Sequence, residues 1–261
     1  MSGVIPEHVV QEVQNRLTTL EREHEVRVLF AVESGSRAWG FPSPDSDYDV
    51  RFVYVHRRDH YLRIDGHTER DVIEQPIVDE IDLAGWDLPK ALGLLRRSNP
   101  GMVEWLHSPI VYRADEATLA QFRELLVRCF RPISGVHHYL SMARTNHRDW
   151  LGRDEVRLKK YLYVIRPLLA ARFIASELQP APMLFRELLS LLDDRTVLSE
   201  IEELLQAKAQ TSELGVGPAR PILENWIASE LARAESNIPS DTKGGMSPED
   251  LSAVFRSLLD D

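Results

Sequence analysis

The chain has 261 residues, 43% of them hydrophobic, which suits one large domain or two small ones. No stretch approaches the roughly 18 uninterrupted apolar residues of a membrane helix, and the first residues lack the basic and then apolar pattern of a signal peptide. The single cysteine, Cys129, excludes an internal disulfide and fits a reducing compartment, and its thiol is expected to pack in the core. We therefore expect a cytoplasmic protein, without membrane contacts.

The net charge of −10 argues against a protein that holds duplex DNA by non-specific electrostatic attraction. The charge is unevenly distributed, however. Residues 144–172 carry eight basic and three acidic side chains, so this segment is positive within an otherwise acidic chain. A local cationic surface of this kind suits a polyphosphate, or the end of a short nucleic acid such as RNA, better than a long duplex.

The first part of the chain is predicted to alternate between helices and strands. Apolar residues at helical spacing indicate a helix over 7–23, and β-branched and aromatic residues indicate a buried strand over 26–33. A glycine-flanked turn and a loop with two prolines follow, and alternation then predicts a strand over 47–55. Two strands, a helix and a short last strand complete this part, at residues 71–75, 77–83, 87–97 and 109–112.

After residue 115 the pattern changes to long helical stretches, at residues 115–130, 134–151, 154–177, 183–193, 196–209 and 219–234. Residues 235–247 have the composition of a flexible linker, and a short terminal helix is expected to begin after Ser247. The predicted fold is α+β, with a mixed β-sheet core and flanking helices followed by an all-helical domain. The expected divisions are residues 1–113, 114–234 and 235–261.

Asp47 and Asp49 are the first candidate site residues. Side chains alternate along a strand, so both carboxylates are expected on one face, about 7 Å apart at their roots. Such a pair repels unless a cation lies between its members, and hard oxygen ligands at this spacing suit magnesium. The run also resembles the start of a calcium-binding EF-hand loop, but Val50 and His56 stand where that loop requires glycine and glutamate.

A third carboxylate on a neighbouring strand is expected to complete the site. If 77–83 is a strand, Glu80 and Asp82 share one face of it and Asp79 takes the other. We take Asp82 as the third metal ligand and Glu80 as the alternative. Zinc is not expected, because the nine histidines are scattered without the spacing of a zinc site.

Gly35 and Ser36 leave the first strand and are expected to enter a short helical turn. Glycine lets backbone amides approach a phosphate closely, the start of a helix favours negative charge, and the Ser36 hydroxyl adds a donor. This turn and the carboxylates would together cradle a triphosphate. Arg37 is a candidate for contact with phosphate or base, with a structural role as the alternative. Arg51 shares the face of the two carboxylates and is a candidate to orient them.

The pattern of an apolar residue, Gly35-Ser36, ten further residues and Asp47-Tyr48-Asp49 resembles the nucleotidyltransferase signature of the DNA polymerase β superfamily. Longer stretches resemble the YcgL-type family of predicted bacterial and phage nucleotidyltransferases, which includes RNA-ligase-associated members. These stretches are residues 33–54, 82–87, 99–112 and 160–169. The resemblance implies a mixed sheet, a divalent metal and a nucleoside triphosphate donor, but it does not supply the acceptor.

The reaction implied by this resemblance moves a nucleoside monophosphate from a triphosphate to a hydroxyl and releases pyrophosphate. Candidate acceptors are an RNA end, a protein side chain and a small molecule such as an antibiotic, and the basic segment 144–172 favours RNA. Asp47 and Asp49 would bind two Mg²⁺ ions, or Mn²⁺ in their place, and Asp82 the ion that activates the attacking hydroxyl. Gly35 and Ser36 would hold the β and γ phosphates.

In the helical part, Lys160, Tyr163 and Arg166 follow one side of a predicted helix and are candidates to contact the triphosphate. The alternative for these residues is a solvated basic face. The alternative for the whole protein is a nucleotide sensor or antitoxin-like partner protein that binds without turnover. The presence of all three carboxylates favours the enzyme.

Overall fold

The computed structural model describes residues 5–64, 69–211, 215–240 and 245–259. Contacts between residues divide the chain into two units. The first consists of Met1–Ala38, Asp47–Phe130 and Gly244–Asp261, and the second of Trp39–Ser46 and Arg131–Lys243. This division differs from the expected one, because the helix after residue 115 and the terminal helix belong to the first unit, whereas the short loop at residues 39–46 belongs to the second.

Twelve helices lie in the described part of the chain: α1 (Glu7–His24), α2 (Gly35–Ala38), α3 (Arg58–Tyr61), α4 (Leu88–Arg96), α5 (Pro100–His107), α6 (Glu116–Cys129), α7 (Pro132–Trp150), α8 (Lys159–Glu177), α9 (Phe185–Leu189), α10 (Arg195–Gln210), α11 (Pro221–Ser236) and α12 (Pro248–Leu259). None of these is long and apolar enough to cross a membrane. Seven of them belong to the first unit, α1 to α6 and α12.

The first unit is built on a five-stranded mixed sheet. Its strands are β1 (Val26–Glu33), β2 (Tyr48–His56), β3 (Val72–Glu74), β4 (Ile81–Asp87) and β5 (Val111–Ala114). They lie in the order β3-β4-β2-β1-β5, and only the β2–β4 pairing is parallel. The α+β class and the mixed sheet with flanking helices are therefore confirmed.

Strand β2 separates two hydrophobic clusters in the first unit. Val50, Phe52 and Tyr54 pack with α1 on one side of the sheet, where their neighbours include Val13 and Leu17. Val53 and Val55 pack on the other side, in the cluster formed with α4, α5 and α6, and Cys129 is buried there as expected. Along β2, Asp49 and Arg51 alternate in step with Val53 and Val55. Their side chains therefore lie on the same face of the sheet as these two valines, near the start of the strand.

The terminal helix α12 covers part of this second cluster. Leu251 and Leu258 are buried in it, and the Phe255 ring lies 5.0 Å from that of Tyr61. Arg27 also donates a hydrogen bond to the Leu258 carbonyl at 3.0 Å. Helix α12 therefore completes the core of the first unit. The sequence predicted that this segment is helical but not what it packs against.

The second unit is mainly helical and contains α7 to α11. A two-stranded ribbon is also present, β6 (Glu155–Arg157) with β7 (Val216–Pro218). Helix α8 consequently begins at Lys159, whereas the helical pattern predicted a start at residue 154. The ribbon was not predicted, because it joins segments about sixty residues apart and local spacing does not reveal such a pairing.

His56, at the end of β2, gives the first unit a dependence of stability on pH. Its ring stacks on that of His60 with centroids 3.7 Å apart, and burial, followed by the His60 charge, lowers its pKa to about 4. Because the unfolded chain takes up this proton near pH 6.5, stability falls as the pH decreases from about 6.5 to 4. We expect His56 to account for about 1 to 2 kcal/mol of the loss between pH 7 and 5, discounted for its partial exposure.

The test is urea unfolding at pH 7 and 5 for the parent and His56→Gln. The variant should lose less free energy of unfolding than the parent over this interval. His8→Gln, which removes an exposed imidazole from α1, is the control and should follow the parent. Equal pH dependence in His56→Gln and the parent would contradict the prediction.

Candidate functional site

Asp49 and Asp82 lie opposite each other on neighbouring strands. The parallel β2–β4 ladder pairs them in register, and paired residues project from the same face at a strand spacing of about 4.8 Å. The guanidinium of Arg51 lies between the two carboxylates. Its Nη2 is 3.0 Å from Asp49 Oδ1 and 2.7 Å from Asp82 Oδ2. The structure thus brings two of the three predicted ligands together around a cation supplied by the chain itself.

Asp47 lies just outside β2, which begins at Tyr48 rather than at residue 47 as expected. Its side chain is exposed, so strand alternation does not fix its direction. The backbone at this point is held by Arg37, whose Nε donates to the Asp47 carbonyl at 3.1 Å and whose guanidinium lies 3.9 Å from the centroid of the Tyr48 ring. Arg37 therefore has a structural role, and its predicted contact with a nucleotide stays a prediction.

The three carboxylates interact electrostatically at Asp49. Burial raises the pKa of Asp49, the Arg51 guanidinium opposes that rise, and the negative charges of Asp82 and Asp47 add to it. This is the repulsion that a divalent cation would relieve, and three carboxylates are the hard oxygen donors that magnesium prefers.

The chemistry of these donors fits a divalent cation, although their arrangement is not closed around one. Within the described ranges, no three His, Cys, Asp or Glu side chains are gathered closely enough to hold a metal ion as they stand. At this site Arg51 takes the position between Asp49 and Asp82, and the Asp47 side chain is exposed.

Gly35 brings the backbone into direct contact with Asp49. Its φ is +62°, and a Cβ at this position would lie 2.1 Å from Asp49 Oδ2. The Ser34 amide donates to the Asp49 carbonyl at 2.8 Å, which fixes the turn to the strand. Ser36 is buried within α2, which is a single turn. A helix this short has little macrodipole, so the predicted attraction for phosphate depends on the individual amide and hydroxyl donors.

Glu33 holds the other side of Asp49 and was not assigned a role from the sequence. The Asp49 amide donates to Glu33 Oε1 at 2.9 Å, and the Tyr112 hydroxyl donates to Oε2. The side chain is fully buried, and this burial raises its pKa to about 7. A glutamate at the end of an apolar strand, two residues before Gly35, was the signal that could have identified it.

Glu80, the alternative third ligand, does not share a strand face with Asp82. It has a φ of +63° in the turn before β4, and Asp79 before it has a φ of +51°. The expected alternation over 77–83 was therefore wrong at these positions. Asp79 pairs with Arg16 at 2.9 Å, and the Glu80 carbonyl accepts a hydrogen bond from the Tyr48 amide at 2.7 Å. The register favours Asp82 as the partner of Asp49.

The other predicted nucleotide ligands, Lys160, Tyr163 and Arg166, belong to the second unit. Lys160 Nζ lies 3.9 Å from the centroid of the Trp150 ring and 5.4 Å from that of Tyr163. Burial lowers the Lys160 pKa, and the charges of Lys159 and Arg157 lower it further. These contacts leave the predicted role of Lys160 and Tyr163 in nucleotide binding as a prediction.

Arg166 differs from Lys160, because it is only 2% exposed. Its guanidinium lies 4.4 Å from the centroid of the Trp39 ring and donates to the Met183 carbonyl at 3.2 Å. Trp39 also packs against Phe41, whose ring contacts that of Phe185. Arg166 therefore stabilises the attachment of the 39–46 loop to the second unit, and these contacts favour a structural role over phosphate binding.

Comparison with known proteins gives three results. The model of a family described as "RNA repair pathway DNA polymerase beta family" matches residues 9–256. The "Uncharacterized protein YcgL" of Bacillus subtilis (strain 168) is 43% identical over 224 residues, which are 85% of each chain. A crystal structure of a nucleotidyltransferase-like protein from Exiguobacterium sibiricum aligns with 88% of this chain and 74% of its own, at 12% identity and a TM-score of 0.33, values too low to show a common fold.

Proposed function

Since the chain belongs to the RNA repair pathway DNA polymerase beta family, we propose that it is a metal-dependent nucleotidyltransferase. It transfers a nucleoside monophosphate from a nucleoside triphosphate to a hydroxyl group and releases pyrophosphate. The observation that carries the proposal is the register of β2 and β4, which sets Asp49 against Asp82 beside the left-handed turn at Gly35.

Asp47, Asp49 and Asp82 are the residues that would hold two Mg²⁺ ions, with Mn²⁺ as a substitute. Ions bound there would lower the pKa of the attacking hydroxyl and stabilise the negative charge of the departing pyrophosphate. The protein's own contribution is positioning. Glu33 holds the backbone of Asp49, and Gly35 allows the chain to run close enough to this carboxylate for turn and ligand to form one surface.

The Gly35–Ser36 turn is the proposed seat of the β and γ phosphates. Glycine has no Cβ to shield the backbone amides there, and Ser36 adds a hydroxyl donor. The in-line transfer requires no protein nucleophile, because the acceptor hydroxyl itself attacks the α phosphorus.

We propose an RNA end as the acceptor hydroxyl. The family description places its members in RNA repair, and residues 144–172 provide positive charge on an acidic chain. In this segment the Trp150 ring is partly exposed and lies beside Lys160 and, at 5.9 Å, Arg157. An aromatic ring bordered by cations suits a single-stranded nucleic acid, whose bases stack while its phosphates meet the charges.

The test compares α-³²P and γ-³²P forms of each nucleoside triphosphate, with Mg²⁺ and an RNA oligonucleotide that has a free 3′ hydroxyl. We expect label on the RNA from the α position alone, together with release of pyrophosphate. Asp82→Asn should lose this activity, whereas Asp79→Asn, which alters a carboxylate of the same turn region that faces Arg16, should retain it.

Other outcomes would correct the proposal in distinct ways. Label from the γ position would indicate phosphoryl transfer and overturn it. Label on a protein would retain nucleotidyl transfer but replace the RNA acceptor. Triphosphate binding without any transfer would favour the sensor, since it would show a nucleotide site that does not turn over.

A further inference from the structure

The guanidinium of Arg51 occupies the position that a cation between Asp49 and Asp82 would take. A single nitrogen, Nη2, donates to both carboxylates, at 3.0 and 2.7 Å. All three side chains are between 19% and 28% exposed, so the group is partly withdrawn from solvent. Opposite charges at such distances attract more strongly there than at a fully solvated surface.

Both oxygens of Asp49 already have close neighbours in this arrangement. Its Oδ1 accepts from Arg51, and its Oδ2 is pressed against the Gly35 backbone, where even a Cβ would come within 2.1 Å. A magnesium ion requires its ligand oxygens at about 2.0 to 2.1 Å. An ion placed between Asp49 and Asp82 would meet the Arg51 nitrogen there, and the two positive charges would repel each other, so the ion and Arg51 compete for this position.

Arg51 has a second attachment that does not involve these carboxylates. Its Nη1 donates to the Val50 carbonyl at 3.1 Å and to the Asp82 carbonyl at 2.9 Å. Because these backbone bonds can persist when Nη2 leaves the carboxylates, the guanidinium can give up its place without leaving the site.

We propose that Arg51 is a built-in counter-cation, which offsets one of the two negative charges of Asp49 and Asp82 in the metal-free protein and competes with divalent ions for these carboxylates. The inference rests on the proposed function for the identity of the metal ligands. Its consequences are that the empty acidic site is stable without metal, and that divalent affinity is lower than the carboxylates alone would give. Arg51 is thus a positioning residue with an effect on metal affinity.

The experiment measures binding of Mn²⁺ alone, without nucleotide, by electron paramagnetic resonance of the free ion, and thermal unfolding with EDTA or Mn²⁺. Arg51→Met removes the cation and should bind Mn²⁺ about tenfold more tightly than the parent, in line with the loss of one partly buried charge interaction. Its melting temperature in EDTA should fall below that of the parent, and Mn²⁺ should raise it by more.

Two further variants keep the test decisive. Arg51→Lys retains the charge and should bind Mn²⁺ within about threefold of the parent. Arg51→Gln removes the charge but keeps a donor for the Asp82 carbonyl, and it replaces Arg51→Met if that variant does not fold. Mn²⁺ affinity that is unchanged or weaker in the folded neutral variants, or no Mn²⁺ binding by any form, overturns the inference.

The outcome is separable from that of the transfer assay. Tighter Mn²⁺ binding by Arg51→Met in a protein that transfers no nucleotide would support the role of Arg51 as counter-cation and contradict the proposed enzyme activity. Nucleotide transfer by the parent, with no gain in Mn²⁺ affinity in Arg51→Met, would support the enzyme activity and contradict the role of Arg51 as counter-cation.

Discussion

Asp49→Asn should lower the rate of nucleotide transfer by about a thousandfold or more, which corresponds to roughly 4 kcal/mol of transition-state stabilisation. The charges of both Asp47 and Asp82 act on Asp49, which is a proposed ligand of both ions. An amide keeps the shape of the side chain beside Gly35 but removes the charge on which metal binding depends. The measurement is single-turnover transfer from an α-labelled triphosphate to RNA, at saturating Mg²⁺.

Asp45→Asn is the matched control for this experiment. Asp45 lies in the same acidic run and is exposed, and its substitution changes the net charge by the same amount. We expect it to retain the parental rate. Circular dichroism and the melting temperature should show that both variants are folded. A rate for Asp49→Asn within tenfold of the parent would show that Asp49 is not an essential metal ligand, and it would contradict the central part of the proposed function.

The fold of the first unit was largely predictable, because its main elements have strong local patterns. The apolar run of β1 and the alternation of β2 identified both strands, with β2 displaced by one residue. Helix α5 was missed despite Asn99, whose side chain accepts from the Met102 amide, and Pro100 in the first turn. Four of its residues are buried and apolar, so it shows no clear amphipathic period of the kind that identified α1.

The site was predictable in composition and less so in geometry. Local spacing named Asp49 and Asp82, but their contact depends on a parallel pairing between segments more than thirty residues apart. The preference for Asp82 over Glu80 could not come from alternation, because the left-handed turn at residues 79 and 80 interrupts it.

Buried polar residues were the hardest to interpret from the sequence. Arg166 fits a basic face by its spacing, yet a loop from far along the chain covers it, with Trp39 against its guanidinium. Glu33 was assigned no role from the sequence, and only the fold places Tyr112 and the Asp49 amide around it. In both cases the contacts that define the role are non-local, so local spacing did not supply the partners.

Gly35→Ala should destabilise the protein and also disturb the site. An alanine at a φ of +62° costs about 1 to 2 kcal/mol. Its Cβ would also overlap Asp49 Oδ2, and Asp49 can move away only by weakening its ion pair with Arg51 or its backbone bonds to Ser34 and Glu33. We therefore expect a total loss of about 2 to 4 kcal/mol in the free energy of unfolding, within the range of strained and overpacked sites.

Gly152→Ala separates the two costs. Gly152 also has a left-handed φ, +73°, but a Cβ there would meet no atom within 4 Å. This variant should lose only the conformational part of the stability, about 1 to 2 kcal/mol, and keep full transfer activity. The difference between the two variants in urea unfolding measures the contact between Gly35 and Asp49. Equal losses of stability in Gly35→Ala and Gly152→Ala, with full activity in both, would contradict the prediction. The Gly35 backbone would then not support the Asp49 carboxylate.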